Sequence, residues 1–514
     1  MPRTFLVRRS NFAGPAKRSR LVIALAVCAL PTAAASCESL GSLSLKDGSI
    51  TMAQSVAAGG FTQPGGRGGK GGNAYANLPA FCRVAAKLKP TSDSEIKIEV
   101  WLPAANWNSG LESVGNGAWA GTIGYAAMAT AVAAGYAAAS TDTGHAGGSV
   151  MFVVGHPEKL IDFAYRAVHE MTVAAKAITA GYYGQAAKHS YFNGCSTGGR
   201  QALTEAQRFP GDYDGIIAGD PDFYATHVQA AQLFIGQATH ASEASYIPPA
   251  NYAALHKAAL EACDALDGVK DGVIEDPTRC KFDPGGIACT GASAPTCLTS
   301  EQVETAKKTY AGTHAGKSTL WGLEPGSESG WASLSGPQPL GLAVDTYQYL
   351  VFNDPKWDYH TLDPVKDVAA ADKAVGAIMN SADPNLKPFF SHGGKLIMYH
   401  GWADPGIPPM FSVEYFKSVV EKNGGQKKAA GEIRLFMVPG MGHCAGGDGP
   451  NTFNSMAALA DWVERGKAPD QIVASHSTRG QVDRTRPLCP YPQTAVYKGS
   501  GSTDDAANFS CKAP

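Results

Sequence analysis

The segment Tyr191-Phe192-Asn193-Gly194-Cys195-Ser196-Thr197-Gly198-Gly199-Arg200 constrains this chain more than any other. Gly194 to Gly198 spell G-x-S-x-G. An apolar pair precedes the motif, and the helix-forming run Gln201-Ala202-Leu203-Thr204-Glu205-Ala206 follows it. A strand that turns sharply into a helix lifts a serine oxygen above the end of a parallel sheet, and the flanking glycines let the backbone turn without a Cβ clash. The motif alone also fits an ordinary Gly-rich loop, so partner residues decide its meaning.

Two partners follow in the chain. Lys395-Leu396-Ile397-Met398-Tyr399-His400-Gly401-Trp402-Ala403-Asp404 reads as a buried strand ending in an acid. Ile433-Arg434-Leu435-Phe436-Met437-Val438 reads as another strand, running into Pro439-Gly440-Met441-Gly442-His443-Cys444. Open α/β sheets place their sites just past the carboxyl ends of strands. The order Ser, Asp, His is that of the α/β-hydrolases. Ser196 is therefore expected to attack, His443 to act as general base, and Asp404 to orient the imidazole. Taken singly, Asp404 could be a helix cap and His443 a surface loop residue. Cys195 directly precedes the serine and Cys444 directly follows the histidine. If the triad forms, their backbones lie within disulfide range, about 4.4–6.8 Å between Cα atoms.

These residues carry a resemblance. Gly194-Cys195-Ser196-Thr197-Gly198-Gly199-Arg200, His400-Gly401-Trp402-Ala403-Asp404 and Gly442-His443-Cys444 resemble the tannase/feruloyl esterase family, which includes the mono(2-hydroxyethyl) terephthalate hydrolase. Gly115-Asn116-Gly117-Ala118-Trp119-Ala120-Gly121, Thr141-Asp142-Thr143-Gly144-His145 and Arg486-Pro487-Leu488-Cys489-Pro490-Tyr491-Pro492 extend the likeness over nearly all of the chain after its first segment. The resemblance implies an α/β-hydrolase fold with a large inserted lid, and a serine esterase acting on esters of aromatic acids through an acyl-enzyme. Two rival readings are a secreted serine peptidase of the same fold and a non-catalytic binding protein on a hydrolase scaffold. The first wants an acidic anchor for a peptide amine, which the sequence does not offer. The intact Ser196, Asp404 and His443 argue against the second.

Six basic and no acidic residues precede Leu21. An apolar run over Leu21-Val22-Ile23-Ala24-Leu25-Ala26-Val27-Cys28-Ala29-Leu30 follows, then Ala33-Ala34-Ala35-Ser36. This is the pattern of a secretory signal peptide over residues 1–36, too short to span a bilayer. The expected localisation is exported, periplasmic or secreted. Of 43 basic and 45 acidic residues, removal of that segment leaves 37 against 45, a formal −8. Such a charge disfavours nucleic acid and anionic membranes as partners. Of 11 cysteines, ten remain without Cys28, and an even number in an exported chain reads as disulfides. Cys195–Cys444 follows from the site. Cys263–Cys280, Cys289–Cys297, Cys489–Cys511 and Cys37–Cys82 pair near neighbours in the way the resemblance supports.

Residues 59–72 are Gly-rich and read as a loop. Ile96-Lys97-Ile98-Glu99-Val100-Trp101-Leu102 alternates as a half-exposed strand. Strands and helices then alternate up to Asp220, which is βαβ logic and a parallel sheet. Sheet-like sequence resumes at Lys395. The catalytic domain is thus expected over 37–222 and 393–514, with a lid over 223–392. In that insertion, Asp264, Asp267 and Asp271 are spaced three and four apart among glycines. The pattern suits either a solvated acidic turn or a hard-cation loop. The resemblance favours a structural Ca²⁺, with Val269 and Val273 adding backbone carbonyls.

For the oxyanion, one donor is the N–H after the serine, that of Thr197, and the other is expected from the Gly115-Asn116-Gly117 loop, at Gly117. Ala118 stands where many relatives have a second glycine. Asp142 and His145 form a rival acid–histidine pair in the wrong chain order and read as supporting residues. Trp321, Trp331, Tyr347, Tyr349, Phe352 and Trp357 are available to stack on an aromatic acyl group or to fill the lid's own core. From Cys280 through Ile433 there is no arginine. Uncharged phenolic esters of ferulate or gallate type are therefore expected to be preferred over a terephthalate monoanion, unless an outside arginine such as Arg83 reaches the pocket.

Overall fold

A computed structural model describes residues 36–65, 75–315 and 318–513, with Met1. The expected signal segment, apart from its two end residues, lies outside them, as do residues 66–72 of the Gly-rich stretch 59–72.

The frame is a nine-stranded sheet ordered β1-β2-β3-β5-β4-β6-β7-β10-β11. Its strands are β1 (Gly48–Val56), β2 (Phe81–Leu88), β3 (Ile96–Pro103), β4 (Gly110–Val114), β5 (Ala137–Thr141), β6 (His189–Cys195), β7 (Gly215–Gly219), β10 (Lys395–Gly401) and β11 (Ile433–Val438). β1, β2, β3 and β5 pair antiparallel in turn. From β5 through β4, β6, β7 and β10 to β11 every pairing is parallel. β4, β5 and β7 are buried along their whole length, as strands covered on both faces must be. Neighbouring residues point to opposite faces: Phe192, Ile216, Met398 and Leu435 enter one core, and Tyr191, Ile217, Ile397 and Phe436 the other.

β5 lies between β3 and β4, whereas β6 lies on the far side of β4. The chain therefore leaves β4 and β6 in opposite directions, and the crevice between their carboxyl ends is where such sheets open a site.

Between β7 and β10 the chain adds no strand to this sheet among its described residues. It folds instead into helices over Ala225–Thr239, Pro249–Cys263 and Ser300–Ala311, many short turns, and a small hairpin of β8 (Thr313–Ala315) and β9 (Ser318–Leu320). The insertion has its own core around Tyr252, Leu255, Val303, Trp331 and Leu334. It also sends Val228, Leu233, Leu320, Tyr347 and Leu386 into the main core. After β11 come two antiparallel hairpins that the sequence did not announce: β12 (Ile472–Thr478) with β13 (Gln481–Leu488), and β14 (Thr494–Tyr497) with β15 (Phe509–Lys512).

All five cysteine pairs anticipated from the sequence are bonded, with Cα–Cα distances of 5.0 to 6.0 Å. Four of them tie the N-terminal turn to β2 and staple the insertion and the C-terminal hairpins. The fifth, Cys195–Cys444, joins the ends of β6 and the loop after β11 across 249 residues.

Candidate active site

Ser196 sits between β6 and the helix Thr197–Arg208 at φ 64°, ψ −124°. A non-glycine residue at positive φ is strained, and such strain persists only where the surroundings enforce it. Here the Ser196 N–H donates to Gly219 O at 2.9 Å, and its carbonyl accepts from Arg200 N at 3.0 Å and Asp222 N at 3.2 Å. The turn is so tight that a Cβ on Gly194 would stand 2.4 Å from Gly198 O. Glycine is required there by space, not by φ.

Asp404 follows β10 and His443 follows β11, and the two meet: His443 Nδ1 lies 2.7 Å from Asp404 Oδ2. Asp404 is fully buried, whereas the His443 side chain keeps 34% of its surface exposed. Because Nδ1 faces the carboxylate, Nε2 is the nitrogen left for a substrate or nucleophile. The Cys195–Cys444 bond holds the residue before Ser196 and the residue after His443 with Cα atoms 6.0 Å apart.

The carboxylate of Asp404 is saturated. Its Oδ1 accepts from Gly406 N at 2.7 Å and Ile407 N at 3.0 Å. Its Oδ2 faces His443 and also His400 Nε2 at 3.3 Å. Burial alone would raise its pKa, but the two imidazoles and their hydrogen bonds hold it well below the usual carboxylate range. For His443, burial opposes charging, yet Asp404, with Asp220 and Asp222 behind it, pushes the imidazole up to about 9.

Thr197 opens the elbow helix. The Gly115–Gly121 loop lies directly over it: a Cβ on Gly115 would stand 2.7 Å from Gly198 Cα. The loop is pinned by Asn116, whose N–H donates to Gln201 Oε1 at 3.0 Å and whose amide donates to Thr122 O and Thr141 O at 3.0 and 2.9 Å. Thr197 Oγ1 donates to Ala118 O at 3.1 Å. Ala118 adopts φ 46°, so this turn takes a left-handed conformation without glycine.

The rival pair dissolves. Asp142 Oδ1 accepts from Lys97 N and Gly144 N, while His145 contacts Trp119 O and Thr143 Oγ1 and stacks on Phe152. Both brace the loops beside the elbow. Trp331 and Tyr347 are fully buried core residues, and Trp357 stacks on Tyr347 and Phe352. Trp321 lines a cavity with Phe223, Tyr224, Phe411 and Tyr415.

Sequence reasoning missed two buried neighbours of the site. Asp220, just past β7, is fully buried at φ 34°, accepts from Gly401 N at 2.8 Å, and touches Cys195 Sγ at 3.3 Å. Burial pushes it up to about 6, with His400 opposing and Asp404 adding to the rise. The other is His400 itself. The visible signal was a polar residue at the end of each of two apolar strands.

In the insertion, Asp264 accepts from Asp271 N and Gly272 N, Asp267 from Val269 N, and Asp271 from Val273 N. Asp271 also pairs with Arg486. Asp267, Asp271, Val273 and Glu275 line one small cavity. Burial, together with repulsion from their carboxylate neighbours, raises the pKa of both Asp267 and Asp271. Burial also drives Glu275 up to about 8. The three aspartate oxygens are not all within 4.8 Å of one another. Asp267, Asp271 and Glu275, oxygen donors whose pKa burial raises, suit a hard divalent cation, which would relieve that repulsion.

Strand order, strained elbow and acid–histidine pair define an α/β-hydrolase. The profile described as tannase and feruloyl esterase matches residues 82–512, and the chain belongs to that family. An uncharacterized esterase of Xanthomonas campestris pv. campestris is 38% identical, over 93% of this chain and 92% of the relative. A probable feruloyl esterase B-2 of Aspergillus terreus is 35% identical, over 84% and 86%. The crystal structure of feruloyl esterase B from Aspergillus oryzae superposes with a TM-score of 0.87 at 32% identity, covering 93% of this chain and 99% of that one. Tannin acyl hydrolase from Aspergillus niger gives 0.73 at 25%, covering 92% and 93%. The protein is a carboxylic ester hydrolase of feruloyl esterase/tannase type.

Proposed function

We propose that this chain is an exported serine esterase that hydrolyses esters of aromatic acids through an acyl-enzyme on Ser196. The observation that carries the reading is the strained Ser196 turn, tied by Cys195–Cys444 to a histidine whose far nitrogen faces a buried carboxylate at 2.7 Å. Ser196 Oγ attacks the ester carbonyl while His443 Nε2 takes its proton. The N–H groups of Thr197 and Gly117 receive the developing oxyanion. His443 then protonates the leaving alkoxide, draws a proton from water, and returns it to Ser196 as the acid departs. Asp404 keeps the imidazole in the Nδ1–H tautomer throughout. The insertion serves as the lid: Gln232 donates to Gly406 O and Ser333 to Pro405 O, so it grips the loop that carries Asp404.

Export accounts for the signal-like first segment and for five disulfides. Among the described residues no helix is long and apolar enough to cross a membrane.

Uncharged phenolic esters are the favoured substrates. Residues 281–433 contain no arginine. Arg83 is bound to Glu99 at 2.8 Å, and Arg200 is buried behind the elbow against Phe163. A terephthalate monoester would thus lack the guanidinium fork that suits a carboxylate. Measured on one preparation, kcat/KM for methyl ferulate or methyl gallate should exceed that for the terephthalate monoester by roughly tenfold or more, the scale of one charge-assisted contact. An advantage for the monoanion would overturn this preference.

A general base must be unprotonated, so raising its pKa moves the active range upward. With His443 pushed up to about 9, kcat/KM should still be climbing above pH 7, with its midpoint displaced toward pH 9. A plateau complete by pH 7 would contradict the charge balance described here.

Asp264, Asp267 and Asp271, with the carbonyls of Val269 and Val273, would hold Ca²⁺ as a structural ion. Bound there, it supplies charge neutralisation between the insertion and the C-terminal hairpins, where Arg486 already meets Asp271. Chelation should lower Tm by several degrees, as loss of an ion bound only by the folded state does. Asp267→Ala should start at the lower Tm and not respond to chelator. Equal chelator response in both proteins would exclude the loop.

A further inference from the structure

We infer that His400 is a positioning residue of this esterase, a second imidazole that holds the carboxylate of Asp404 on the oxygen also used by His443. The inference rests on the Ser196–His443–Asp404 reading and adds a fourth member to it.

The geometry around His400 is closed. The side chain is fully buried at the end of β10. Its Nε2 lies 3.0 Å from Ile407 O, 3.3 Å from Asp404 Oδ2 and 3.7 Å from Asp220 Oδ1. All three are acceptors, so Nε2 carries a proton whatever the charge of the ring. Its Nδ1 lies 2.7 Å from Ser412 Oγ, on the helix Met410–Lys422. Ser412 therefore sets the ring plane, and the ring's N–H, hydrogen-bonded to Ile407 O, also faces Asp404 Oδ2 at 3.3 Å. The end of β10 cannot drift: a Cβ on Gly401 would stand 2.3 Å from Met441 O, in the loop that leads to His443. A polar chain thus runs from Ser412 through His400 and Asp404 to His443.

This placement has a chemical consequence. Two imidazoles share one carboxylate oxygen, so Asp404 cannot give His443 its full charge. Losing the His400 N–H would leave Oδ2 with His443 as its one remaining close partner, while Gly406 N and Ile407 N still hold Oδ1. It would also leave the negative charge to His443 alone, so the imidazolium would be held more tightly. Among the described residues the other charged groups facing these imidazoles are Asp220 and Asp222, both acidic, and the neutral partners are Ser412, the Ile407 carbonyl and the Gly406 and Ile407 N–H groups. No neighbour replaces the lost donor.

The test compares His400→Gln, whose amide can keep an N–H near the Nε2 position, with His400→Leu, which has none. Each is counted by fluorophosphonate titration so that only competent sites enter kcat. For His400→Leu, kcat should fall about 10–100-fold, the usual scale for removing a partner behind a working group. KM should stay unchanged because His400 touches no substrate, and the rising limb of the pH profile should move upward. His400→Gln should recover most of kcat. Ser412→Ala, a gentler change for folding, should shift kcat and the limb in the same directions by a smaller factor. If every variant loses Tm while kcat per titrated site and the limb stay at wild-type values, His400 is core packing and the inference fails. If wild-type enzyme does not label on Ser196 at all, the triad reading fails first, and the two failures are thereby separate.

Discussion

Replacing Ser196 by alanine is expected to lower kcat on a simple aromatic ester by about 10⁴-fold or more, the scale seen when a triad nucleophile is removed. The fold should not change. Alanine retains the Cβ, so the strain at φ 64° is the same before and after substitution. The backbone bonds that hold the turn, from Ser196 N to Gly219 O and from Asp222 N to Ser196 O, do not involve the hydroxyl. The loss should therefore appear in kcat with Tm unaltered. A folded Ser196→Ala protein with a tenth of wild-type activity would move the nucleophile elsewhere.

The next largest effect is expected from Asp404→Asn, a fall of about 10³–10⁴-fold. The acid does not react, so its loss should be milder than loss of the serine. An asparagine offers an N–H where His443 and His400 both present donors, and the imidazole turns to the wrong tautomer. The pH profile gives a second, independent sign. The Asp404 carboxylate helps push His443 up to about 9. Removing it should bring the rising limb to lower pH even as the rate falls. His400→Leu should move the same limb the other way, so the two variants separate the acid's charge from its support. Equal shifts in one direction would contradict the network drawn around Asp404.

Why some of this was readable beforehand follows from where each residue sits. Ser196, Asp404 and His443 each lie just past an apolar strand that stands out in the sequence, and the flanking cysteines advertised that two distant segments meet. His400 and Asp220 carry no such mark. Each looks like one polar residue ending a buried strand, and only the packing of β7, β10 and β11 brings them to one carboxylate. The elbow helix was misleading in another way. Gly199-Arg200-Gln201 and Thr204-Glu205 look solvent-facing, yet Thr197 to Ala206 are all buried. The turn drives this helix into the interior, where Arg200 lies against Phe163 and burial lifts the Glu205 carboxyl well above its ordinary pKa. The C-terminal hairpins escaped because their stability is tertiary: Phe509 and Ala495 pack with Val269 of the acidic loop, and Cys489–Cys511 closes them.

The most direct test of the central claim is covalent. Native enzyme treated with a fluorophosphonate should gain one adduct per chain, and peptide mapping should place it on Ser196. The Ser196→Ala protein should gain none. An adduct at any other residue, or full ester turnover by enzyme that the reagent leaves unlabelled, would contradict the account.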